Sequence, residues 1–133
     1  MSNSIPIIYG SAITAQASAA ITADADSGGS LTLIDNTLTG NGGGCHEYQC
    51  FVVVSVAPSA DAVCRLYYAA TYTGTPDQYD SGSLSVEIPS GETGTFDLGS
   101  IINPAKYSYC KIAAEDAGFT ASLIVVPVLP EAQ

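Results

Sequence analysis

Residues 83–89, SLSVEIP, place a large aliphatic side chain at every second position. Leu84, Val86 and Ile88 fall on one side of an extended chain, and Ser83, Ser85 and Glu87 fall on the other. Successive side chains of a strand leave opposite faces of the pleat, so this period of two reads as a half-buried strand. The same alternation returns in residues 63–73, where Cys64, Leu66, Tyr68, Ala70 and Tyr72 share one face and Arg65, Thr71 and Thr73 take the other. Residues 95–98 continue it with Phe96 and Leu98 inward. Residues 50–57, CFVVVSVA, are apolar on nearly both faces, which predicts a central strand covered on each side. Residues 107–114 and 119–128 read as two further strands, and 5–9, 12–23 and 31–38 as three more at the N-terminal end. Residues 12–20 are rich in Ala, but their Thr and Ser content and poor apolar stripe favour strand over helix.

Turn chemistry separates these segments: DADSGGS at 24–30, TGNGGG at 39–44, APSAD at 57–61, TGTPDQYDSG at 73–82, PSGETG at 89–94, NPA at 103–105 and EDAG at 115–118. Gly supplies positive φ, Pro fixes φ, and Asp or Asn bonds its own backbone. Eight or nine short strands at this spacing predict an all-β, single-domain antiparallel β-sandwich of jelly-roll type. The expected organisation is an N-terminal arm or first strand over 1–10, the sandwich over 11–128 and a tail over 129–133. Most carboxylates are expected at loop tips.

The chain has 133 residues, of which 3 are Lys or Arg and 13 are Asp or Glu, for a net charge of −10. Arg65, Lys106 and Lys111 are the only cations, too few for a basic patch that would release counterions from nucleic acid or bind an anionic membrane surface. Neither nucleic acid nor membrane is an expected partner. The start, MSNSIPIIYG, lacks the basic and apolar regions of a secretory signal, and no apolar run approaches the length of a membrane helix. Use without export, or prior removal of a leader, is the expectation. Only 12% of residues are charged while 47% are hydrophobic, and mean hydropathy is +0.26. Surface this poor in charge predicts cover by another protein, since large apolar patches mark interfaces.

Catalytic and metal-binding chemistry is sparsely supplied. His46 is the one histidine and follows Cys45 directly; neighbours along a strand point to opposite faces, which is poor geometry for a nucleophile and its base. No nucleophile elbow, phosphate loop or dinucleotide fingerprint occurs. The reading is a non-enzyme with no cofactor. Cys45, Cys50, Cys64 and Cys110, with His46, form a candidate zinc set. Against it, Cys64 and Cys110 alternate in phase with Leu66 and Ile112, as core residues do. A Cys45–Cys50 disulfide closing the glycine-rich loop is the stronger expectation of the two. Residues 24–35 place Asp24, Asp26 and Asp35 at positions one, three and twelve of a calcium-type loop. Position five is Gly28 and flanking helices are missing, so a glycine-rich turn is preferred and no metal is assigned.

Tyrosines offer the clearest candidate surface. Tyr67, Tyr68, Tyr72 and Tyr79 cluster on one segment, with Tyr107 and Tyr109 on another. Tyr brings contact area at low entropic cost with a polar tip, and so suits interfaces. Tyr67, Tyr79, Tyr107 and Tyr109 are candidate interface residues.

This small, acidic, Thr/Ser/Gly-rich chain with its expected β-sandwich and no catalytic set resembles the cement or decoration proteins on the outside of tailed-phage heads. The resemblance lies in overall character along the chain. It implies a virion protein made in the host cytoplasm, a homotrimer at capsid threefold axes, with the major capsid protein and further copies of itself as partners. It points to Ile5, Ile7 and Ile8 of the N-terminal arm for coat contact, although these residues equally suit an ordinary first strand. The rival reading is a carbohydrate-binding sandwich using Tyr67, Tyr79, Asp77 and Asp80, and a tail or fibre domain is a third.

Overall fold

The computed structural model describes residues 7–23, 29–70 and 84–130. Nine strands run through them: β1 (Ile7–Tyr9), β2 (Ile13–Ile21), β3 (Ile34–Asp35), β4 (Glu47–Val56), β5 (Ala62–Ala70), β6 (Leu84–Ile88), β7 (Gly94–Ile102), β8 (Tyr107–Glu115) and β9 (Phe119–Pro130). All pair antiparallel. One sheet runs β1-β9-β4-β7, with β2 also on β9, and the other runs β3-β8-β5-β6. β1 pairs with the end of β9 and β2 with its beginning, so the two occupy one edge in succession. Taken as a single interrupted strand, they make an eight-strand order of first-last-third-sixth in one sheet and second-seventh-fourth-fifth in the other, which is the jelly roll. The all-β sandwich read from alternation is thus the observed fold.

The core lies between the sheets. Tyr48, Cys50, Val52 and Val54 of β4 and Ala121, Leu123 and Val125 of β9 meet Cys64, Leu66, Cys110, Ile112 and Ala114 of the second sheet. Each of these runs is a strict every-second-residue set, which is why β4, β8 and β9 alternate buried and half-buried along their length. On β7, opposite Cys50 of β4, the glycine at position 99 adopts φ +107 where the β4–β7 register shifts between Cys50 and Phe51. A side chain is strained in that conformation, so the bulge depends on glycine there.

Several expectations need correction. Residues 31–38 contain only the two-residue β3, because Asp35, Asn36 and Asn41 spend their side chains on loop backbone. Asn36 donates to the Cys45 carbonyl and accepts from the Cys45 amide, both at 2.9 Å. Asn41 accepts from the Asp35 amide and donates to the Leu33 carbonyl. The loop is therefore closed by Asn36, and Cys45, Cys50, Cys64 and Cys110 are all free thiols; the Cys45–Cys50 disulfide is not formed. β4 is central within its sheet but has the other sheet on one face only, and Phe51 and Val53 on its second face are half-buried. β9 reaches Pro130, so the strand extends two residues beyond the expected boundary. Most of the carboxylates among the described residues do not sit at loop tips: Asp35, Glu47, Glu87, Asp97 and Glu115 stand on strands, against Asp61, Glu92 and Asp116 in connections. An outward strand position meets water as a loop does and accepts a charge as readily.

Candidate functional site

The hydrogen-bonded register sorts side chains onto faces, since directly opposed residues of antiparallel strands share one. On the β3-β8-β5-β6 sheet, Tyr67 stands opposite Lys111 and Ala69 opposite Tyr109, with Arg65 opposite Ala113. The alternate set on β8, Ser108, Cys110, Ile112 and Ala114, is buried. Tyr107, Tyr109, Lys111 and Glu115 therefore face outward with Tyr67 and Arg65. The Lys106 ammonium lies 5.5 Å from the Tyr107 ring centroid, within cation–π range. Arg65 Nε donates to Glu115 Oε1 at 2.7 Å and its Nη2 to Oε2 at 3.4 Å. That hydrogen bond raises the Arg65 pKa and holds the Glu115 carboxyl below its ordinary value. Three of the candidate interface residues, Tyr67, Tyr107 and Tyr109, thus share one face with all three cations of the chain. Tyr68, their neighbour, turns the other way and accepts from the Ala105 amide at 2.7 Å.

The other candidates fall elsewhere. Ile7 and Ile8 belong to β1, whose backbone pairs with Leu129 and Pro130 of the same chain, so this part of the arm is a first strand. Ile5, Tyr72, Tyr79, Asp24, Asp26, Asp77 and Asp80 lie outside the described residues. Asp35 accepts from the Thr37 amide at 3.1 Å. Among the described residues no group of three or more His, Cys, Asp or Glu is placed to hold a metal ion.

A second surface went unread in the sequence. On the outer side of the β1-β9-β4-β7 sheet, Phe51 is opposed to Ile124, Gln49 to Val126, and Glu47 to both Val128 and Ile102. Phe51, Val53, Ile124, Val126 and Val128 are half-buried, Tyr9 is 54% exposed and Ile102 is 61% exposed. Among the described residues no strand covers this face. The signal is present in the two-sided apolar character of 50–57, which the sequence reading assigns to cover on each side of a central strand.

Among the described residues, the four thiols and His46 are set apart from one another in exposure. Cys45 is buried while His46 beside it is exposed. Burial pushes the Cys50 and Cys64 thiols up to about 12 and raises those of Cys45 and Cys110. Thiols so placed stay protonated and unreactive at neutral pH. A cleft of ≈ 310 Å³ opens beside β1, between Gly10–Ile13, Gly40–Gly43, Pro127 and Leu129. It carries no titratable side chain. Below its glycine rim, the Tyr48 hydroxyl is buried without a protein hydrogen-bond partner, and burial raises its pKa.

The described residues form a jelly-roll β-sandwich, with an apolar stripe on the outside of one sheet and tyrosines among cations on the outside of the other. Compared with known protein families, curated proteins and solved structures, the chain matches none.

Proposed function

We propose that this chain is a structural virion protein that docks on the outside of a tailed-phage head, binds the major capsid protein and, as a homotrimer, bridges coat subunits and stabilises the shell. The jelly roll alone does not choose this reading, because it serves capsid and lectin domains alike. The observation that carries it is the outward apolar stripe of Phe51, Ile124, Val126, Val128 and Ile102, bordered by Glu47, Gln49 and Asp97, on a chain of net charge −10. Such a face is disfavoured in water and gains by being covered. Burying roughly 300 Å² of it contributes about 7 kcal/mol before the costs of association. Many weak contacts around a closed shell then add by avidity.

The test is rebinding. Purified protein is mixed with tailed-phage heads stripped of their outer proteins, and head-bound protein is separated by sedimentation. Saturable binding and a higher melting temperature of the heads are expected, both lost in Ile124→Glu folded by circular dichroism. Failure to bind heads, with retention on polysaccharide that EDTA releases, would favour the carbohydrate-binding alternative.

A further inference from the structure

Of the asparagines in the chain only Asn41 is followed by glycine; Asn3, Asn36 and Asn103 precede Ser, Thr and Pro. That pair has a chemistry of its own. The backbone nitrogen after an asparagine attacks the side-chain Cγ, and glycine, with no Cβ, hinders the attack least and bends most easily to reach it. The bond from Gly42 N to Asn41 Cγ forms, the Cγ–Nδ2 bond breaks, and the NH₂ group leaves with the Gly42 amide proton as ammonia. Water then opens the resulting succinimide at either carbonyl, which leaves an aspartyl or an isoaspartyl residue at position 41. Asn41 is exposed, so water reaches it.

The fold ties down both reacting groups. Asn41 Oδ1 accepts from the Asp35 amide at 2.7 Å, and Nδ2 donates to the Leu33 carbonyl at 3.0 Å. The Gly42 amide, the attacking group, donates to the Asp35 carbonyl at 2.9 Å. In the closed loop the nucleophile is held and the carboxamide is turned to other partners, so the ring closes only when these bonds open.

Neither product fits back. An aspartyl carboxylate puts an oxygen where Nδ2 stood, acceptor against the Leu33 carbonyl acceptor. It also sets a second carboxylate beside Asp35, whose Oδ1 accepts from the Thr37 amide in the same turn. The isoaspartyl form lengthens the main chain by a carbon just ahead of Gly42. That position has no slack: a Cβ on Gly42 would already meet the Tyr48 hydroxyl at 2.8 Å and the Asn36 Cα at 2.9 Å.

We infer that Asn41–Gly42 is a self-modifying, one-way latch: opening of the loop lets it cyclise, and either product keeps the loop from closing again. Gly40–Gly43 form one wall of the ≈ 310 Å³ cleft beside β1. An unlatched loop therefore widens that cleft and uncovers the Tyr48 hydroxyl beneath Gly42.

Peptide-mapping mass spectrometry, which separates aspartyl from isoaspartyl products, tests this on the full chain held in mildly alkaline buffer. Amide exchange is followed by NMR alongside. Conversion at Asn41 is expected in the folded protein, and far faster when urea unfolds it. The ratio of the two rates is expected to match the open fraction of the Gly42 amide given by its exchange. Asn36→Ala, which removes the loop's two bonds to Cys45, is expected to raise the folded rate roughly tenfold. Asn41→Asp makes the aspartyl product directly. It is expected to lose exchange protection at Asp35 and Gly42, with the strand content intact by circular dichroism. The inference is overturned if Asn41 stays an amide in the folded chain, or if it converts there faster than the open fraction allows. It is equally overturned if Asn36→Ala leaves the rate unchanged, or if Asn41→Asp keeps the parental protection. Should Asn36→Ala fail to fold, the rate ratio and Asn41→Asp still decide.

Discussion

Gln16 is 1% exposed in a strand of Ala, Thr and Ser. Its Oε1 accepts the Ile112 amide of the opposite sheet at 2.8 Å. β8 is paired by β3 only at Tyr107 and Ser108, so Gln16 takes the place of a missing strand for that amide. Gln16→Leu keeps the volume near constant but strands a buried N–H, a cost of about 1–3 kcal/mol. Urea unfolding should show that loss, and a variant as stable as the parent contradicts the role. Nothing in the sequence marked this residue, because a lone Gln between alanines looks like any solvated side chain. Its burial follows from irregular β2–β9 pairing, whose register shifts on both sides of Gln16. The thiols were more legible. Cys64 and Cys110 sit in phase with Leu66 and Ile112, and all four are buried. Burial raises Cys50 and Cys64 from 9.0 to about 12. A raised folded pKa stabilises fully below the unfolded value, and the contribution is lost as pH climbs from 9 toward 12. Unfolding free energy is therefore expected to fall across that window, with Cys64→Ala flattening the decline; a parent curve flat to pH 12 opposes this.

Strands were readable wherever one face was buried, because burial imposes the period of two. β4, β6, β8 and β9 follow it, and β5 does as far as Tyr67, after which Ala69 is buried and Ala70, expected inward, is exposed. β3 was over-read: residues 31–38 are apolar enough for a strand, but the side-chain amides of Asn36 and Asn41 bond loop backbone in preference to a ladder. Asn36 is the fastening of that loop. Asn36→Ala removes two hydrogen bonds to Cys45 and is expected to cost about 1–3 kcal/mol. Thermal unfolding at matched ionic strength checks it. Equal stability of Asn36→Ala and parent contradicts the loop's account. The glycine at position 42 belongs to the same device, since a Cβ there would meet the Tyr48 hydroxyl at 2.8 Å and the Asn36 Cα at 2.9 Å. The two-sided apolar run of 50–57 marked β4 as central, but a single sequence does not say whether the second face is covered by its own chain or by another.

For the molecule as a whole, the composition and the surface agree. A chain that is 12% charged and 47% hydrophobic folds into two layers that leave an apolar stripe among polar residues on the outer side of one sheet and gather the cations on the other. The jelly roll was legible because eight or nine turn-bounded strands admit few closed arrangements. The candidate surface was legible in part: Tyr67, Tyr107 and Tyr109 converge, but their meeting with Lys106 and Lys111 depends on a register that spacing alone does not supply. With thirteen carboxylates and three cations, lowering pH toward 4 removes the repulsion that keeps assemblies apart. Turbidity is expected to rise between pH 5 and about 4, and clear solutions throughout would count against the surface placement of these groups.

The central claim is that this protein acts through contact with other copies and with a larger shell. Light-scattering mass of the purified chain, taken over a series of concentrations, tests it most directly. The account predicts a stable mass three times the 13.6 kDa of one chain, and a mass of one chain at every concentration would contradict it.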